Sequence, residues 1–361
     1  RFVIFNTASE SLLATGINTG LPEGTILEPI LGKGEPIKVG SIGFASLKMP
    51  PQFGEIYKVG AKKEAQIAVQ LPEINSANIE QGRLLIKGQS ITESISFSID
   101  GILNNSASFK VTEGQFSESL SLGLTEAGLH SIIPFFDSGE NIIVGIPFEF
   151  EVNYIPKSLA VVFDQAGDDN GPSGDYLYPT DPSFERQMDL SSIKVTALGN
   201  NLELEISTSL PMTTSWTPAN GFDHVSFGIY IDFPNEEGAE VLPFRNANTP
   251  EDFAWDCYVD ITGWTKNIYT SEGASASAWG NSTGPAPIVT KIDERTIKVK
   301  LSARALNWAK PLTGTKIYIA TWDSEGEGGF RGLAAQPSGY TFGGAENGSK
   351  IMDDISVFEL K

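Results

Sequence analysis

Asp164-Gln-Ala-Gly-Asp168-Asp169-Asn170-Gly-Pro-Ser-Gly-Asp175-Tyr-Leu-Tyr178-Pro-Thr-Asp181-Pro182 sets five carboxylates, an asparagine and turn-forming Gly and Pro within nineteen residues. Such a loop has too little apolar surface to order itself by burial, and carboxylates this close repel one another. A hard cation removes both difficulties. Ca2+ takes about six to eight oxygens from Asp, Asn and backbone carbonyls, and Gly lets the backbone turn tightly enough to present them. The alternative is a solvated acidic surface loop, and the residues leave both open. EF-hand spacing is absent: counting from Asp164, the third position is Ala166, the sixth is Asp169 in place of Gly, and the twelfth is Asp175 in place of Glu. On the cation reading the candidate ligands are Asp164, Asp168 and Asp169, with Asp175 and Asp189 as further ones.

Outward from the loop the sequence alternates with period two. On its carboxyl side this predicts strands over 193–197, 202–207, 225–233, 255–261, 296–301, 316–322 and 355–360, with one more at 159–163 just before it. Residues 304–308 are expected to make a helical turn. On the amino side short strands are expected over 65–71, 94–99, 108–111, 116–122 and 128–133. An acidic turn and a last hairpin to 154 follow. Close spacing with Gly, Asn and Pro between strands argues for sandwiches. Helical periodicity is nowhere long enough for βαβ units. The expected fold is all-β: an extended N-terminal arm over 1–38, an Ig-like β-sandwich over 39–156, a hinge at Ile155-Pro156-Lys157, and a second β-sandwich over 158–361. In the arm, Phe2, Val3, Ile4 and Phe5 form a β-prone apolar run. It either adds an edge strand to its own domain or completes a sheet in a neighbouring subunit.

A family resemblance follows from the loop and its flanks. The run Val161-Val-Phe-Asp164, Gly167-Asp168-Asp169, Gly171-Pro172, Tyr176-Leu-Tyr178-Pro179-Thr180 and Met188-Asp189-Leu190 resembles the opening of the glucodextranase C-terminal family. Gly228-Ile-Tyr230-Ile-Asp232, Ala254-Trp255-Asp256, Thr262-Gly263-Trp264, Gly328-Gly-Phe-Arg331 and Tyr340-Thr-Phe342-Gly-Gly come in the expected order. The resemblance covers about 158–361. It implies a calcium-bearing β-sandwich, appended to exported glucan-degrading enzymes and to surface proteins, with no catalytic machinery of its own.

Charge narrows the partners. The formal net charge is −20, from 25 Lys and Arg against 45 Asp and Glu. That disfavours nucleic acid, whose phosphates need a basic face, and anionic membranes. No apolar run reaches the length of a membrane span. The chain starts at Arg1, which fits removal of a preceding segment. Cys257 stands alone, so bound metal, glycans or assembly contacts would have to replace disulfides. Sequons stand at Asn104, Asn281 and Asn347.

Catalytic groups are scarce. His130 and His224 are the two histidines, both in strand-like contexts that favour structural or surface roles, and Cys257 reads as a small buried thiol. Gly280-Asn-Ser282-Thr-Gly284 matches a nucleophile elbow in letters but lacks the strand before and the helix after. The six tryptophans all lie beyond residue 215. Trp216 and Trp279, in loop-like sequence, are the candidates for stacking on sugar, the alternative being loop staples. A second acidic loop, Asp323-Ser-Glu325-Gly-Glu327, could hold a cation or be neutralised by Arg331.

Two functions are consistent with this inventory. The first is a non-enzymatic exported cell-surface protein, a calcium-stabilised subunit of an extracellular assembly such as an S-layer, sheath, tube or filament. It would self-associate into a homo-polymer through its N-terminal strand. The alternative is a carbohydrate-binding accessory module of a glucan-degrading enzyme, with α-glucan or cell-surface polysaccharide as partner. Both place the protein outside the cell.

Overall fold

A computed structural model of the chain describes residues 1–361 apart from 1, 9, 20, 41–43, 63–70, 81, 103–107, 138–141, 287, 292–294, 309 and 326–328. The strand expected over 65–71, the sequon at Asn104 and Glu327 of the second acidic loop lie wholly or mostly outside the described residues. Within them there is no helix, and none is long and apolar enough to cross a membrane. Where 304–308 was expected to make a helical turn, residues 303–307 form a run of turns in which Trp308 N–H bonds Ala303 O at 2.9 Å. The chain divides into two compact units, Arg1–Leu122 with Ala127–Asn153 and Gly123–Glu126 with Tyr154–Lys361.

The second unit is a β-sandwich. One sheet runs Lys157–Phe163, Leu190–Leu198, Asn201–Thr208, Thr296–Leu301, Ile288–Lys291 in spatial order. The other runs Asn281–Pro285, Lys266–Thr270, Cys257–Ile261, Ser226–Asp232, Lys316–Trp322, Asp353–Glu359. Strict alternation aims one set of side chains inward. Ile193 pairs with Ile206 and Ile206 with Ile297, while Val195 pairs with Leu204 and Leu204 with Val299, all fully buried. They meet Phe227, Ile229, Ile231, Val259, Ile261, Ile317 and Ile319 of the facing sheet in one core. Outward residues of the first sheet are charged instead, with Lys298 3.0 Å from Glu203 and Lys194 3.3 Å from Glu205.

The six-stranded sheet does not alternate in burial, because its outer face is covered as well. Tyr230, Leu242, Phe253, Trp255, Tyr258 and Tyr318 form a second core beneath loops of the same unit. Strands buried on both faces read as continuous apolar runs. Ser226–Asp232 and Cys257–Ile261 follow that rule. Arg245, fully buried in this layer, is held by Tyr230 Oη at 3.1 Å and by the Lys350 carbonyl at 3.0 Å.

The first unit corrects the expected arm. Residues 1–38 contribute strands at Phe2–Asn6, Leu12–Asn18, Thr25–Pro29 and Ile37–Lys38. Phe2–Asn6 pairs antiparallel along Phe53–Lys62 of its own chain, Phe2 opposite Tyr57 and Ile4 opposite Glu55. Phe2 and Ile4 pack on a core of Leu27, Ile37, Val39, Leu47, Met49 and Tyr57. The physical reason is that Phe53–Lys62 would otherwise leave a row of backbone N–H and C=O groups open beside that core. Val3 and Phe5, on the opposite face, stay 55% and 69% exposed.

A buried carboxylate anchors this part of the unit. Glu55, 1% exposed, accepts the N–H groups of Leu31 at 2.7 Å, Lys33 at 2.7 Å, Gly34 at 2.9 Å and Ile56 at 2.9 Å. Burial pushes its pKa up, but the four N–H donors outweigh that and hold it down at about 2.

Residues 73–152 carry the sheets read as Ig-like. Ser94–Ile99 forms as expected, and Gly128–Asp137 is one long strand that pairs with both Ile142–Val144 and Phe148–Val152. The expected last hairpin strand is broken at Gly145-Ile146-Pro147, where Gly145 closes within hydrogen-bond reach of Pro134 O. Glu73–Glu80 and Arg83–Gln89 form a hairpin that the sequence did not announce.

Candidate functional site: an acidic centre and an aromatic face on one loop

The loop between Phe163 and Leu190 carries both halves of the site. In the acidic half, Asp164 and Asp168 meet Asp353, the first residue of the last strand, with one carboxylate oxygen from each lying within 4.8 Å of the others. Asp164 Oδ2 and Asp168 Oδ1 are buried and have no hydrogen-bond partner. Asp353 is better served, accepting Leu190 N–H at 2.6 Å and Asp354 N–H at 2.8 Å. Burial, then the neighbouring carboxylates, push Asp164 up to about 6. Burial also pushes Asp353 up to about 8; the Leu190 N–H pulls against it, and Asp164 and Asp168 add to it.

Each of these observations is a cost the fold carries. An unpaired buried polar atom costs about 1–3 kcal/mol, more when charged. Two oxygens on opposite sides of a Ca2+ ion stand about 5 Å apart, twice the metal–oxygen distance. Three hard oxygens grouped at this spacing, two without partners, fit a divalent cation bound by Asp164, Asp168 and Asp353.

The other expected ligands are elsewhere engaged. Asp169, 1% exposed, pairs with Arg186 and accepts the Tyr178 hydroxyl at 2.6 Å, so its charge is already compensated. Asp189 receives the Gly167 N–H on both oxygens, at 3.1 and 3.0 Å, which shapes the turn before Asp168. Asp175 is exposed and outside the cluster. Asp353 was missed because nothing near residue 353 distinguishes it, and the strand that carries it docks 185 residues further along the chain than Asp168. Asp323 of the second acidic loop is neutralised by Arg331, whose Nε lies 2.9 Å from Oδ1.

The aromatic half begins at Phe184 in the same loop. Its ring lies 6.0 Å from Tyr340, 6.4 Å from Phe342 and 4.8 Å from His224, with the Arg331 guanidinium 4.7 Å over its face. Trp216 stands edge-on to His224 at 5.8 Å. Trp216 is 56% exposed and Tyr340 54% exposed. The Trp216 loop is pinned from beneath: fully buried Asp223 accepts Trp216 N–H at 2.8 Å and the Thr213 hydroxyl. Thr213 N–H in turn bonds Gln187 Oε1 at 2.7 Å. Gln187 to Leu190 therefore tie the two halves together, Gln187 to the tryptophan loop and Leu190 to Asp353. Asp181 accepts the Ser183 N–H and hydroxyl and bonds the Tyr340 hydroxyl, fixing that rim.

His224, 3% exposed, sits between Phe184 and Trp216 with φ of 60°. A non-glycine residue held there costs about 1–3 kcal/mol. Neither ring nitrogen has a hydrogen-bond partner, and Nδ1 is 3.5 Å from Asp323 Oδ2, itself unpartnered. Burial pushes Asp323 up, with His224 and Arg331 pulling against it. Period-two patterning around residue 224 signalled a strand position and gave no hint of this environment.

Trp279, the other sugar-stacking candidate, is half-buried. Its ring packs 4.3 Å from Phe244 and 5.8 Å from Tyr258, 5.9 Å from Tyr269 and 5.7 Å from Phe330, against the outer layer of the six-stranded sheet. It staples its loop to the sheet. Cys257 is buried, and burial pushes its thiol up to about 12, so it is inert at neutral pH.

Comparison with known proteins bears on this unit. Residues 159–357 match the family model of the C-terminal binding module, SLH-like, of glucodextranase. No curated protein matches the chain. Among solved structures, similarity is found to a GH family 64 laminaripentaose-producing beta-1,3-glucanase from Paenibacillus barengoltzii, complexed with laminarihexaose. The identity is 8%, over 76% of this chain and 50% of that one, with a TM-score of 0.16. The chain thus spans half the length of that structure.

Proposed function

The chain belongs to the family of the C-terminal, SLH-like binding module of glucodextranase, and from that premise we propose that it is an extracellular or cell-surface carbohydrate-binding protein without catalytic activity of its own. Sugar rings stack on Trp216 and Tyr340, with Phe184 behind them. Ca2+ held by Asp164, Asp168 and Asp353 stiffens the loop that carries Phe184. One observation carries this reading: Trp216 is more than half exposed, yet its backbone is fixed by a fully buried carboxylate. A fold that immobilises an exposed tryptophan has already met the ordering cost that a stacking contact would otherwise impose. A cell-surface or exported glucan, with its apolar ring faces and hydroxyl edges, is the chemistry such a platform accepts.

Titration with soluble starch, dextran and pullulan tests it. Tryptophan fluorescence should respond to at least one of them, and Trp216→Ala should weaken that binding by about 2 kcal/mol or more, the cost typical of losing a central aromatic anchor. Trp279→Ala should alter stability and leave the binding response in place. Failure of all three glucans to bind would remove the reading.

A second reading, a subunit of a self-associating surface assembly, is favoured by Val3 and Phe5. They stand exposed on a strand that, among the described residues, pairs on one side alone. Light scattering checks it: an intact chain that is monomeric in millimolar Ca2+ excludes assembly, and a polymer dispersed by Phe5→Lys supports it.

A further inference from the structure

His224 is the one histidine of the second unit, and both of its ring nitrogens are buried without hydrogen-bond partners. Its position is not one that packing alone would select. The backbone is in the left-handed region, the ring is wedged between Phe184 and the exposed Trp216, and a leucine or phenylalanine would fill the same space with no polar atom to satisfy. Asp323 lies on the Nδ1 side, 3.5 Å away, and is itself anchored by Arg331. A carboxylate there favours the tautomer with the proton on Nδ1. That leaves Nε2, on the other side of the ring, as a lone-pair acceptor with no donor.

Resting on the carbohydrate-binding reading, we propose that His224 Nε2 is the polar anchor of the aromatic face, accepting a hydrogen bond from a hydroxyl of the sugar that stacks on Trp216. Stacking alone gives adhesion with little discrimination, since every pyranose has an apolar face. An acceptor fixed between two rings, oriented from behind by Asp323, accepts only a sugar whose hydroxyl projects to that point. Nε2 is buried in the free protein, so binding requires the rings beside it to give way, and the hydroxyl then relieves an unsatisfied nitrogen that the free protein must bear. A site built to bond a hydroxyl rejects the analogue lacking it far more strongly than a purely apolar one does. The anchor therefore sets which sugar is held, and Asp323 acts as a positioning residue through it.

The chain has two histidines, His130 in the first unit and His224 in the second, so 15N-histidine labelling reports one imidazole per unit. Titration with soluble starch, dextran and pullulan should shift the Nε2 resonance of His224 for whichever glucan binds and leave His130 unmoved. His224→Phe, which keeps an aromatic ring in the gap, should weaken that binding about tenfold, the value of one hydrogen bond. His224→Gln, which keeps an acceptor, should recover part of the loss. If a glucan binds in a Trp216-dependent manner while the His224 Nε2 resonance stays in place, the anchor is wrong and the platform stands. If His224→Phe folds and binds as tightly as the parent, the anchor is wrong in the same way. If no glucan binds, the carbohydrate reading fails and the anchor with it. Should His224→Phe not fold, the labelled parent protein decides.

Discussion

Glu55 and Asp353 are both buried carboxylates, and their surroundings drive them in opposite directions. Glu55 is met by four backbone N–H groups and sits at about 2. Asp353 faces Asp164 and Asp168 and is pushed up to about 8. The first is complete: its lone pairs are filled by the chain, and the carboxylate organises the loop at 30–34. The second is incomplete, because two oxygens beside it have no partner and three acidic groups share one small space. Density of acidic residues did not separate these cases. Satisfaction of the oxygens did.

The largest expected break in that comparison comes from calcium. Since all six tryptophans lie in the second unit, their fluorescence follows its unfolding alone. At a hundred times its dissociation constant Ca2+ should add about 2.7 kcal/mol, which for a unit of this size raises Tm by about 5–10 °C over the same protein in EDTA. Asp353→Asn should abolish that difference while Asp175→Asn keeps it. Superimposable melts with and without Ca2+ would show that the acidic centre holds no ion.

Protons give the next effect, with a definite sign. Asp353 has a folded pKa raised above its unfolded value near 4. In EDTA its protonated form therefore contributes stability that is full below about pH 4 and is lost as pH rises through about 8. Metal-free protein should melt lower at pH 9 than at pH 5, and Ca2+ should reverse that slope by taking the proton's place. A metal-free melting temperature that climbs across this range would overturn the assignment.

The smallest effect is confined to the first unit. The folded pKa of Glu55 is depressed, so its contribution is present above the ordinary carboxylate value and is lost as pH falls from about 4.5 toward 2. Glu55→Gln should speed amide exchange at Leu31, Lys33 and Gly34, measured by mass spectrometry. The tryptophan-monitored melt should not move. Unchanged protection at those amides would sink the structural role given to Glu55.

Much of the second unit was legible because its strands alternate strictly and each sits close to where its apolar residues fall. Ile193, Val195, Leu204 and Ile206 declare their own inward face. The nearness of Asp164 to Asp168 was legible for a similar reason, being local. That Asp353 joins them was not, since an acidic cluster assembled by sheet pairing depends on a contact that no window of sequence contains. Asp169 misled because Arg186, its counterion, is seventeen residues away in an irregular loop. Trp279 misled in the other direction. Its neighbours Ser, Ala and Gly look like exposed loop, but the six-stranded sheet is covered on its outer face and the ring belongs to that cover. The N-terminal strands were hidden by Gly-rich stretches and two-residue strands, where pairing with residues 53–62 rather than local pattern decides the structure.

Placing Asp353 on the last strand also sets an order of events during synthesis. The ribosome delivers Asp164 and Asp168 long before Asp353, so the acidic loop leaves the tunnel as a pair of charges that lacks its third arm. Leu190 N–H waits on that docking event, and the Thr321 hydroxyl that reaches Met188 O also reaches Asp353 O. A nascent chain can assemble the first sheet and still have an open, unclamped acidic loop. Docking of the strand that carries Asp353 thus works as an order check: the loop is clamped only once the chain has been made through that strand.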